Sequence, residues 1–219
     1  MPNTTLSTRL RMSLAIILLA SAVGFVTGSG SDHRTGERAA RKTGPSPRAA
    51  MINVLGSANP NPQLGEEART FDRLVGAWDA DFGFPRDDGT VRHKKGELFF
   101  GWVMDGHAIQ DLWIGFPSDS QKERTIGTTI RFFDTAIKQW RVVYVGPQSN
   151  YMVTMQGGRE GDRIVLRGVD SDGLPIRWTF RELESSSFHW QGEKSLDGGK
   201  TWKLEEDHHM RRRSAEEGR

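Results

Sequence analysis

The sequence predicts an all-β protein, a single antiparallel barrel of about eight to ten strands led in by a short helical turn. Three observations carry that expectation. From Trp78 to Met210 large apolar residues alternate with polar ones at a period of two, with almost no helical period. Turn signals rich in Gly, Pro and Asp cut this span at hairpin spacing. An open meander of such length would leave edge strands unpaired, and closure removes the edges.

The elements follow in order. The helical lead-in is expected around Glu66 to Val75. "AWDADFGF" alternates and stops at "PRDDGT", a turn with Pro85 and Gly89. "HKKGELFFGWVM" ends at Asp105-Gly106, and "HAIQDLWIGF" ends at Pro117. "TIGTTIRFFD" and "QWRVVYVG" flank "TAIK", while "SNYMVTMQG" and "DRIVLRGV" flank "GREG". "PIRWTFREL" follows "DSDGL", and "SFHWQGEKS" and "TWKLEEDHHM" flank "LDGGK". The barrel is expected over 66–213, followed by a tail over 214–219.

Upstream, "TRLRMSLAIILLASAVGFVTGSGS" runs from Arg9 and Arg11 through an apolar stretch, Leu14 to Val26, to small polar residues. That order reads as a signal peptide over 1–30. Ala20-Ser21-Ala22 fits a small-x-small cleavage pattern, with a later alternative between Thr27 and Ser31. The apolar run is shorter than the roughly 20 residues of a spanning helix, so no stable membrane span is expected. Residues 31–65 read as a disordered linker, polar and without apolar period. The protein is expected to be exported, periplasmic or extracellular; translation from Met51 would instead make it cytoplasmic.

Composition removes several function classes. Lys and Arg number 30 against 28 Asp and Glu, a formal charge of only +2, so no nucleic-acid partner is implied. Cysteine is absent, which excludes disulfides, thiolate catalysis and Cys-ligated zinc. Seven Trp and eleven Phe stand against two Tyr, enough aromatic area for both a core and a ligand wall.

"FDRLVGAW" resembles the lead-in of lipocalin-like barrels, the calycins. That resemblance implies a helical turn closing one end, with the Trp of Gly-x-Trp packed at the base of the first strand. It also implies an Arg from the end of the last strand lying across that Trp. Gly76 and Trp78 take the first two roles, and Arg211 to Arg213 supply the third, Arg211 first. The wider pattern of "RFFD", "GDRIVLRG", "RWTFREL" and "SFHWQGEKSLDGGKTW" is similar to an uncharacterised bacterial family known only as a domain of unknown function. The resemblance implies a fold and a cavity, and no settled activity.

Chemical motifs are sparse. "SLDGGKTW" matches an Asp-box, a hairpin in which Asp197 holds backbone amides, Gly198 and Gly199 take positive φ and Trp202 packs. His208 and His209, adjacent on a strand, point to opposite faces and cannot share one ion. Glu206 and His208 share a face, but spacing supplies no third ligand, so no metal site is expected. A haem ligand would have to be His107 or His189, neither in a recognisable pattern, and no cofactor is implied. No Gly-x-Ser-x-Gly or local triad marks a nucleophile.

What remains is a cavity. Trp113, Trp140, Tyr144, Tyr151 and Trp178 are expected to line it, with Asp111, Arg131 and Arg177 as its polar groups. The expected function is binding of a small hydrophobic or aromatic ligand. The alternative is a barrel enzyme, an isomerase, cyclase or hydrolase, using Asp111, His107, His189 or Glu193 as acid or base. A one-residue slip in register would turn every one of these side chains over.

Overall fold

The computed structural model describes residues 44–214. The signal peptide expected over 1–30 lies outside them, as do the first part of the expected linker and the end of the tail.

Ten antiparallel strands form the barrel. They are β2 (Gly76–Pro85), β3 (Val91–Val103), β4 (Ala108–Gly115), β5 (Thr125–Asp134) and β6 (Gln139–Gly146), then β7 (Tyr151–Glu160), β8 (Arg163–Asp170), β9 (Pro175–Arg181), β10 (Ser187–Lys194) and β11 (Lys203–Arg212). Each pairs with the next, and β11 returns to pair with β2, so the sheet closes with every strand flanked on both sides. The bounds match the sequence alternation because each strand buries one face. Trp78, Ala80 and Phe82 of β2 point inward with Leu98, Phe100 and Trp102 of β3, and the residues between them are more exposed.

The segment before the barrel departs from expectation. Within the span read as linker, helix α1 covers Pro47–Leu55, capped by Ser46, whose Oγ accepts from Ala49 N–H at 3.2 Å. A two-residue strand, β1 (Gly56–Ser57), pairs with Val103 and Trp102 at the part of β3 that β2 leaves free. Asn61 N–H donates to Gly106 O at 2.9 Å, tying the chain to the β3–β4 turn. These links are backbone hydrogen bonds, which side-chain composition does not announce.

A 3₁₀ turn (Pro62–Ala68), broken at Gly65, leads into the four-residue helix α2 (Arg69–Asp72). Phe71 and Leu74 drop into the barrel and are fully buried. Phe71 meets Trp140 edge-on at 5.0 Å and Phe180 at 6.1 Å, so this lead-in stoppers one end. Trp78 is fully buried there; its indole N–H donates to Leu74 O at 2.8 Å and its ring meets Phe188 at 4.7 Å.

The arginine across Trp78 is Arg212, not Arg211. Met210 faces inward, so strand alternation sends Arg211 outward to solvent and brings Arg212 back over the indole, 4.0 Å from the ring centroid. Arg212 also donates to Arg73 O, Val75 O and Ser185 O, at 2.6, 2.8 and 2.7 Å. Gly76 has φ +133°, and a Cβ there would stand 2.6 Å from Arg212 Nη1. The positive φ is what requires glycine, and the bare Cα leaves the guanidinium its place.

Candidate functional site

The end opposite the helical stopper is open and holds a cavity of about 750 Å³. Its inner wall is a run of rings in edge and tilted contact. Phe82 lies 5.7 Å from Trp113, Trp113 lies 5.4 Å from Trp190, Trp190 lies 5.3 Å from Trp178, and Trp178 lies 5.8 Å from Tyr144. Tyr151 and Phe84 continue the wall toward the mouth. A Cβ at Gly127 would fall 2.2 Å from the Tyr144 hydroxyl, so a bare glycine on β5 makes the room that phenol occupies.

Two ionisable groups of β11 face this space. His208 is buried, stacked on Trp190 at 4.8 Å and 20°, and burial pushes its pKa down to about 4. Glu206 lies next along the same face, its carboxylate 3.7 Å from His208 Nε2. Barrel walls surround Glu206 and push its pKa up to about 7, with Glu205 adding repulsion, yet its side chain stays 39% exposed because the cavity admits water. No Lys or Arg stands within ion-pair distance of Glu206 among the described residues, and the neighbouring His208 is neutral at pH 7. At the mouth, Lys94 donates to Thr125 Oγ1 at 3.1 Å and Arg92 lies over Phe84.

Of the residues expected to line the cavity, Trp113, Tyr144, Tyr151 and Trp178 do. Asp111 and Arg131 face inward but lie deeper. Both are fully buried, paired at 2.6 Å, with Arg131 against Phe71, Phe100 and Phe180. Asp111 Oδ1 also accepts from Thr129 N–H at 2.9 Å, while Arg131 Nε and Nη1 have no partner. Burial pushes the Asp111 carboxyl up against the pull of Arg131. Trp140 also faces inward, but at the stoppered end beneath Phe71. Arg177, next to inward-facing Trp178, stands outside the barrel. It chelates Glu193 at 2.7 and 2.8 Å and lies 4.5 Å over Trp202.

That outer contact locks the Asp-box hairpin to the wall. Asp197 Oδ1 accepts from Lys200 and Thr201 N–H at 3.0 and 2.8 Å, and Oδ2 accepts from the Thr201 hydroxyl at 2.7 Å. These donors, Thr201 first, hold the Asp197 carboxyl down at about 2. Gly198 and Gly199 have φ +74° and +92°. The other acid–base candidates lie elsewhere: His107 is exposed beside Asn61, and His189 is on the outer wall against Asp207. Phe82, Trp190, Glu206 and His208 are among the lining residues that sequence reasoning did not select. Phe82 stands four residues from Trp78 on the same strand face, a signal that was present.

A larger cleft, about 990 Å³, lies outside the stoppered end between α2 and the β6–β7 edge. Its walls are charged and partnered, as in Arg167 Nη2 donating to Glu160 Oε2 at 3.1 Å. Only two rings, Phe133 and Trp140, line it, so the barrel mouth is the better-formed site for an apolar ligand.

The closed antiparallel barrel has a counterpart in fold among solved structures. The crystal structure of Rv2717c from M. tuberculosis matches with a TM-score of 0.52 at 12% identity, covering 71% of this chain and 100% of that chain. The barrel is lipocalin-like. The S-type phycobiliprotein lyase CPES from Guillardia theta is similar at 14% identity and a TM-score of 0.49, covering 67% of this chain and 92% of that chain. No protein family and no curated protein matches the sequence. The likeness to this lipocalin-like barrel is one of fold. Among the described residues, no helix is long and apolar enough to cross a membrane.

Proposed function

We propose that this protein binds an apolar or aromatic small molecule in the open end of its barrel. The observation that carries the reading is the continuous wall of Phe82, Trp113, Trp190, Trp178 and Tyr144 around a cavity of about 750 Å³. That size falls in the range of small-molecule sites, roughly 300–1,000 Å³. Each apolar Å² a ligand buries there contributes about 25 cal/mol. Glu206, without a strong cation partner, supplies a polar anchor that accepts a hydrogen bond when ionised and donates one when protonated.

The enzyme reading rests on the same residue. A carboxyl tuned to about 7 and facing a cavity fits a general acid or base near neutral pH. The order of basic, apolar and small residues in the first thirty supports export of the barrel. N-terminal sequencing of mature protein from its native host is expected to begin between Val23 and Asp32.

Native mass spectrometry of the purified protein, followed by identification of any released molecule, tests the binding reading. An environment-sensitive apolar dye bound at one per chain, displaced by that molecule and weakened by Trp178→Ala, is the expected result. A dye unaffected by Trp178→Ala and Trp113→Ala, with the fold intact, would overturn it.

A further inference from the structure

The outer wall carries a group of donors that the cavity does not use. β10 and β11 pair so that His189 lies directly opposite His209, with Asp207 two residues along β11 on the same face. His189 Nε2 is 2.7 Å from Asp207 Oδ1. The two imidazoles stack at 3.9 Å and 30°. One donor atom from each of the three residues lies within 4.8 Å of the others. The His189 side chain is only 12% exposed, yet neither of its ring nitrogens makes a well-formed hydrogen bond.

We propose that His189, Asp207 and His209 form a binding site for a divalent transition-metal ion of the zinc, nickel or copper(II) class. Two imidazoles and one carboxylate are the donors such ions take, at about 2.0–2.2 Å from the metal. The same set is poor for magnesium or calcium, which prefer oxygen ligands. His189 is held by the strand and its burial, while His209 is exposed and free to turn, so drawing three donors onto one ion needs only side-chain rotation. Supporting partners stand behind the donors. Gln191 Nε2 donates to Asp207 Oδ1 at 3.1 Å, and the Glu182 carboxylate stands 3.7 Å from His189 Nδ1, within reach of a small side-chain shift.

The carboxylate across from His209 on the neighbouring strand is otherwise engaged. Asp81, opposite His209 on β2, binds His93 at 3.0 Å and Lys95 at 2.9 Å. The protein therefore offers three ligands and leaves the solvent side to water. Strand pairing creates the site: His208 and His209 cannot share an ion, but His209 and the cross-strand His189 can.

The test uses the full chain, without a polyhistidine tag and stripped by a chelator. Titration with Co²⁺ is expected to give visible d–d absorption that saturates at one ion per chain. Zn²⁺ is expected to displace it and to raise the melting temperature by mass action. His209→Ala and His189→Ala are each expected to weaken binding at least as much as losing a supporting partner would, roughly 10–100-fold. His93→Ala should leave affinity unchanged. His209 is exposed, so His209→Ala decides the matter if His189→Ala fails to fold. Absence of saturable binding, or affinity unchanged by His209→Ala, overturns the proposal.

Discussion

Arg212 lies 4.0 Å over the Trp78 ring while its guanidinium donates to three backbone carbonyls, at Arg73, Val75 and Ser185. The last strand is thereby fastened to the first strand and to the stopper at once. The cation–π contact contributes about 1 kcal/mol in a partly shielded setting. The planar fork lets one side chain reach all three carbonyls, which a lysine cannot copy.

Truncating the lower partner should be costly. Trp78→Ala is expected to lower unfolding free energy by about 3–5 kcal/mol in denaturant titration. Arg212→Lys should lose about 1–3 kcal/mol, and Arg211→Ala about 0.5 kcal/mol or less. A larger loss at Arg211 than at Arg212 would show the stack assigned to the wrong residue.

The buried pair Asp111–Arg131 gives a second expectation. Asp111→Asn leaves a fully buried guanidinium without its counter-ion and should cost about 3–5 kcal/mol. The apolar double variant, Asp111→Leu with Arg131→Met, should be less destabilised than Asp111→Asn alone. Denaturant midpoints of the three proteins give the comparison, and equal losses would count against an uncompensated charge as the cause.

Placement of Trp178 and Arg177 on opposite faces separates two adjacent residues. Trp178→Ala should weaken binding of an apolar dye by about tenfold, equivalent to about 1.4 kcal/mol of lost ring contact. Arg177→Ala should leave dye affinity unchanged and loosen the Asp-box hairpin, read as faster amide exchange at Lys200 and Thr201. The reverse pattern would mean that the register of β9 is shifted by one residue.

Glu206 makes stability and binding respond to pH. Its folded pKa, about 7, lies above the ordinary 4.5, so the folded chain holds more protons than the unfolded one between those values. This contribution is fully present below about pH 4.5 and is lost as pH rises through about 7. His208 acts oppositely. Its folded pKa of about 4 lies below 6.5, so its contribution is present above pH 6.5 and is lost as pH falls through about 4. Melting temperatures of Glu206→Gln and the parent from pH 5 to 8 should diverge in favour of the variant as pH rises. Parallel curves would show that the cavity hydrates Glu206 as bulk water does.

The alternation of apolar residues, the hairpin turns and the absence of helical period determined the barrel and nearly all its strand bounds. Period two is a local property, and burying one face enforces it at each strand. The Gly-x-Trp lead-in also determined the stoppered end, since Gly76 and Trp78 act within a few residues of each other. Tertiary structure alone decided the rest. Which of three consecutive arginines meets Trp78 depends on the phase of β11. Depth along the barrel separated Asp111, Arg131 and Trp140 from the cavity although all three face inward, because alternation fixes a side and not a height. The meeting of His189 with Asp207 and His209 depends on the pairing of β10 with β11, and cross-strand register is set by turn geometry and the β-bulge between Gly192 and Glu193. Sequence spacing of nearly twenty residues carries no record of that contact.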